Sequence, residues 1–226
     1  MPSLSRELRK DLERVIRAAR RVAEAGARQS LQRLGVQAKD APAELTGDER
    51  ALRTRLRAHG RQLGDVRDAH AGTQAIDRLT AECAYEHWHR MLFARFLAEN
   101  ELLIEPTSGH PISLADCREL AAERRCDWIG LAAGFAQSML PQIFREDDPV
   151  LDVSLPPETR QELESRLEAL SLEVFVADDS LGWVYQFWQA DAKEAINASE
   201  VKIGADELAS VTQLFTEDYM VLFLLH

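Results

Sequence analysis

A chain of 226 residues with 46% hydrophobic side chains can bury one sizeable core or two small ones. No apolar run reaches the roughly 20 residues of a membrane span, and the start MPSLSREL lacks a signal peptide's apolar stretch. Cys83, Cys117 and Cys126 are too scattered for a disulfide framework or a CxxC knuckle, so a cytoplasmic, reduced protein is expected.

The net charge of −11 argues against a self-sufficient nucleic-acid binder. It is uneven, however: through residue 72 sixteen Lys/Arg stand against ten Asp/Glu, and the acidic excess lies beyond. Residues 4 to 34 place Leu4, Leu8, Leu12, Val15, Ile16, Ala19, Val22 and Ala23 on one stripe, which predicts a long amphipathic helix. Arg6, Arg9, Arg14, Arg17, Arg20 and Arg21 fall mostly off that stripe, where they are compatible with touching phosphates. Gly35 and the stretch from Lys39 to Pro42 break the helix. A second helix starts near Thr46, carries Leu52 and Leu56, and weakens at Gly60 and Gly64, giving a basic helical hairpin over residues 1–72.

Residues 73–180 read as a helical core. Between 73 and 100, Ile76, Leu79, Cys83, Ala84, Trp88, Met91, Leu92 and Phe96 recur at three- and four-residue steps, the strongest helical pattern in the chain. Glu105 to Pro111 is a loop, and Ser113 with Asp116 three residues on predicts a capping box for a helix to about Arg125. Another helix is predicted from Asp127 to Phe144 on Trp128, Leu131, Phe135 and Met139, with Pro141 limiting its end. After a turn at 145–149, Pro156 and Pro157 open a helix whose apolar face is Leu163, Leu167 and Leu170.

Residues 181–226 form the last region. Asp178-Asp179-Ser180 caps an aromatic helix, Leu181-Gly182-Trp183-Val184-Tyr185-Gln186-Phe187-Trp188. Thr216 is a good N-cap, followed by two acids, for the apolar run Met220 to Leu225. That run has no stop signal and nothing nearby to bury it, so the chain is expected to continue into a further domain. Without a hairpin signal or sustained period-2 alternation, the fold class is all-α, an irregular multi-helix array.

Complete chemistry is not legible in these residues. Cys83 and His87 have helical i, i+4 spacing, but no complementary ligand pair is evident, and His87 and His89 point roughly 200° apart. Structural histidines, and no metal, are expected. Asp191 with Glu200-Val201-Lys202 mimics the acid…acid-x-Lys spacing of a magnesium nuclease, yet its flanks are not β-rich. No phosphate-binding glycine loop and no G-x-S-x-G elbow occurs.

Three segments, spanning residues 82 to 225, carry a family resemblance. Glu82 to Asn100, ECAYEHWHRMLFARFLAEN, is similar to a helix shared by large adenine-specific DNA methyltransferases of phage-defence and restriction systems. These are the PglX-type enzymes of BREX and DISARM and the related type IIG proteins. Leu181 to Gln186 resembles their Gly-Trp-x-Tyr-Gln helix, and Thr212 to Leu225 resembles the element preceding their cofactor domain. The resemblance implies the N-terminal helical portion of an S-adenosylmethionine-dependent adenine-N6 DNA methyltransferase, placed before an α/β cofactor-binding domain.

By the same resemblance Phe215 and Thr216 contribute to cofactor binding, because a capped helix N-terminus suits the carboxylate of S-adenosylmethionine. Glu217 stands where the family commonly has Pro. The base-binding Asn/Asp-Pro-Pro-aromatic motif is missing: Asn100 and Asn197 are the only asparagines, and neither precedes Pro. No catalytic residue is therefore assigned, and the chain alone is expected to be inactive. Implied partners are its own catalytic domain and double-stranded DNA, with Arg14, Arg17 and Arg21 as candidate phosphate contacts. A free-standing α-helical protein-interaction module is the alternative.

Overall fold

A computed structural model describes residues 3–141 and 147–199. Among them the chain forms eight α-helices, one 3₁₀ turn and no strand. Among the described residues no helix is long and apolar enough to cross a membrane. The described residues fall into two compact units, 3–19 with 166–199 and 20–141 with 147–165.

Helix α1 (Arg6–Arg33) runs through both sets of residues and follows the predicted stripe: Leu12, Ile16, Ala19, Ala23, Ala27 and Leu31 are fully buried. It begins where Ser5 Oγ accepts from Leu8 N at 3.2 Å. It ends at Gly35, whose φ of 65° lets Val36 N reach back to Leu31 O at 3.0 Å. Thr46 and Glu49 form a reciprocal capping box at the start of α2 (Gly47–Gln62). The basic residues of α2 are largely turned onto backbone: Arg53 donates to Gly35 O and Ala38 O, and Arg57 to Val36 O and Gly72 O.

Helix α3 (Asp77–Glu99) is the axis of the larger unit. From Leu79 to Asn100 none of its side chains is fully exposed, because α2, α5 (Trp128–Met139) and the 3₁₀ turn Pro149–Asp152 all pack on it. It starts four residues later than predicted. Gln74, inside the predicted helix, instead donates its amide to Gln37 O and bridges to Arg67. Helix α4 (Leu114–Arg124) has the anticipated box, with Ser113 Oγ accepting from Asp116 N and the Asp116 carboxylate from Ser113 N. The shorter acid suffices.

Helix α5 stops at Met139, short of its predicted end: Leu140 and Pro141 are not helical, and residues 142–144 of the predicted span lie outside the described residues. Helix α6 (Pro157–Glu168) begins on Pro157 as expected.

Where α6 meets α1, Thr159 packs on Gly26: a Cβ on that glycine would lie 2.5 Å from Thr159 Cγ2 and 2.6 Å from Oγ1. Gly26→Ala is therefore expected to destabilise by about 1–3 kcal/mol, although alanine favours a helix. Adding Thr159→Gly should recover most of that loss. Urea unfolding of the single and double variants checks it, and a stabilised single variant contradicts the packing.

In the smaller unit, Leu4, Leu12, Ile16, Leu167, Leu170, Val174, Phe175, Trp183, Phe187 and Trp188 are buried. Here α7 (Leu172–Phe175), which the sequence did not suggest, packs on α8 (Ser180–Ser199).

Candidate functional site

The Cys83–His87 pair on α3 is spent on one backbone group. Cys83 Sγ lies 3.8 Å and His87 Nε2 3.1 Å from Val150 O in the 3₁₀ turn. Burial, reinforced by Asp148, pushes the Cys83 thiol up to about 12, which leaves it inert near neutrality. Burial also holds His87 below its ordinary 6.5, against the opposing pull of the Val150 carbonyl. His89, stacked between Tyr85 and Phe93 at centroid distances of 5.3 and 5.6 Å, is lowered for the same reason.

A base kept neutral by burial gives stability that is full above its unfolded value and lost as pH falls through the lower folded value. Stability should thus decline as pH drops below 6.5, the ordinary imidazole value. His87→Gln, which keeps an N–H for Val150 O, should flatten that decline between about pH 7.5 and pH 5.5. Urea midpoints that fall in parallel for both proteins would rule out His87 as the cause.

A cleft of about 290 Å³ opens beside His87. Arg90, Arg160, Asp127 and Glu164 line it over Met91 and Leu155. Its two cations and two anions balance, so charge alone selects neither a phosphate nor a dication.

Arg14, Arg17 and Arg21 recur at i, i+3 and i+7, on one face of α1. Arg14 is exposed and pairs with Asp11 at 2.9 Å. Arg17 is engaged by three acids: its Nη1 and Nη2 donate to Glu194 Oε1 and Oε2 at 3.0 and 2.7 Å, and it also meets Glu13 and Asp191. The Glu194 hydrogen bonds hold its guanidinium far above its ordinary value. Arg17 thus ties α1 to α8, whereas Arg21 is exposed. Asp191 is accounted for by this ion pair; Glu200 and Lys202 lie outside the described residues, as do Phe215, Thr216 and the run Met220 to Leu225.

The aromatic helix holds a cluster that local patterns did not reveal. Asp179, 4% exposed, accepts from Leu4 N at 2.8 Å and from Trp183 Nε1 at 2.9 Å. Arg9 sits 3.6 Å from the same carboxylate, with its guanidinium 4.3 Å from the Trp183 ring centre. Trp183 in turn stacks on Phe187 at 5.4 Å. The sequence signal was the run of acids before the helix, which suggested a cap; the partners from α1 carry no local signature.

Comparison with protein-family models, with curated proteins and with solved structures gives no significant match to this chain.

Proposed function

We propose that this chain is the helical N-terminal portion of an S-adenosylmethionine-dependent adenine-N6 DNA methyltransferase of a restriction or phage-defence system. It acts as a scaffold and is inactive on its own. The observation that supports this reading most is where the methyltransferase-like residues fall. Trp88, Met91 and Leu92 of the first segment are buried in the larger core, and Trp183 of the second is buried in the smaller one. In these two segments the resemblance therefore includes side chains that pack inside the fold, as a shared scaffold requires.

In this reading Phe215 and Thr216 flank the cofactor, and the α/β domain that holds S-adenosylmethionine and the flipped adenine follows this chain. Double-stranded DNA is the substrate. Arg14 and Arg21 meet its phosphates, while Arg17 serves the scaffold. The test uses the complete gene product with methyl-tritiated S-adenosylmethionine and duplex DNA. The complete protein should label adenine N6, and residues 1–226 alone should label nothing. Failure of the complete protein to transfer methyl, or transfer by the 226-residue chain, contradicts the proposal. In the complete enzyme, Arg14→Glu with Arg21→Glu should lower the salt slope of DNA binding by about two, as for two lost phosphate contacts. An unchanged slope removes α1 from the DNA path.

A further inference from the structure

We propose that His59, Glu82 and Asp148 form a binding site for a divalent transition-metal ion of the zinc type, independent of the methyltransferase reading. The three residues come from three elements that pack on one another: His59 from the last turn of α2, Glu82 from the start of α3, and Asp148 from the N-cap of the 3₁₀ turn. One donor atom from each lies within 4.8 Å of the other two.

The ligand chemistry and charge fit such an ion. Two carboxylates offset a dication, and a neutral imidazole nitrogen selects zinc-like ions over magnesium or calcium, which prefer oxygen alone. His59 Nε2 is the second, separate observation. It is buried and has no hydrogen-bond partner, and it sits 3.9 Å from Asp148 Oδ1, too far for a hydrogen bond. An imidazole nitrogen removed from water and 3.9 Å from a carboxylate gains a partner when a cation enters between them.

The geometry needs little adjustment. Tetrahedral zinc, with bonds of about 2.0–2.1 Å, places its ligand atoms about 3.3 Å apart, so His59 and Asp148 must approach by roughly half an ångström. Glu82 reaches the ion by side-chain rotation. Asp148 is already oriented, because Val150 N donates to its Oδ1 at 3.1 Å, the kind of outer contact that positions a metal carboxylate. Both His59 and Asp148 line a cavity of about 740 Å³, together with Arg55, Gln62 and Pro149. It provides an entry path and room for water at the remaining coordination positions.

The experiment titrates the complete gene product, stripped with a chelator, against Zn²⁺ in competition with a chromophoric indicator. Co²⁺ absorption in the visible reports nitrogen and carboxylate ligation. The wild type should bind one equivalent more than Glu82→Gln or His59→Gln. In each variant that equivalent should weaken at least about 100-fold, the upper end of what losing even an outer-shell partner costs. Glu82 is only partly buried, so Glu82→Gln should keep the far-ultraviolet circular dichroism of the wild type and remains informative if His59→Gln does not fold. Asp77→Asn, an exposed position paired with Arg28, should bind as the wild type does. Equal zinc stoichiometry and affinity in wild type and Glu82→Gln, or no zinc bound by the wild type, overturns the site.

Discussion

Asp65→Ala is expected to cost about 2–4 kcal/mol, because it uncaps the central helix of the larger unit. Helix α3 begins behind Ile76, which offers no side-chain cap. Its first amides are served from outside the helix: Asp65 Oδ1 accepts from Arg78 N and Oδ2 from Leu79 N, both at 3.0 Å. Asp65 is 5% exposed, so water cannot take over when the carboxylate is removed. Its charge also sits at the positive end of the helix dipole. Gly60 keeps it seated, since a Cβ there would come within 3.1 Å of Asp65 Oδ2.

Asp65→Asn retains one acceptor oxygen and should lose about half as much. Urea unfolding measures the size, and amide exchange assigns it: Arg78 and Leu79 should exchange faster in Asp65→Ala. An unchanged midpoint, or unchanged exchange at those two amides, contradicts the capping role.

Asp179→Ala should be of similar severity in the smaller unit, about 2–4 kcal/mol. One buried carboxylate satisfies the Leu4 amide and the Trp183 indole and faces the Arg9 guanidinium. Its removal takes one acceptor from each of these two donors and one negative charge from beside Arg9. A double-mutant cycle with Trp183→Phe isolates the indole bond, and a coupling of about 0.5–3 kcal/mol is expected for residues in direct contact. Additive losses would mean that the indole and the carboxylate act separately.

Both residues show where sequence patterns reach their limit. The stop of α1 at Gly35, the start of α2 near Thr46, the box at Ser113, and the opening of α6 at Pro157 were legible because each is set within four residues of chain. The buried stripe of α3 was legible from its spacing. Its starting point was not, because Gln74 is drawn to Gln37 and the cap comes from Asp65, both outside the local window. Asp179 was recognisable as an acid before a helix, but its main-chain partner Leu4 lies 175 positions earlier.

The basic residues were countable and their tasks were not. Arg53 and Arg57 hold loop carbonyls and Arg17 holds acids of α8, so a charge tally overstates what is available for phosphate. His59, Glu82 and Asp148 share no spacing rule, since three separate elements bring them together.

The claim that this helical chain belongs to an adenine-modifying enzyme meets its most direct test inside a cell. The complete gene product is expressed in a bacterial host that lacks adenine methylation of its own, with any partner genes of its system, and the host DNA is digested to nucleosides for mass spectrometry. N6-methyladenine should appear with the intact gene and vanish when the Asn/Asp-Pro-Pro-aromatic motif expected beyond this chain is mutated. DNA that carries no N6-methyladenine, despite soluble full-length protein, would contradict it.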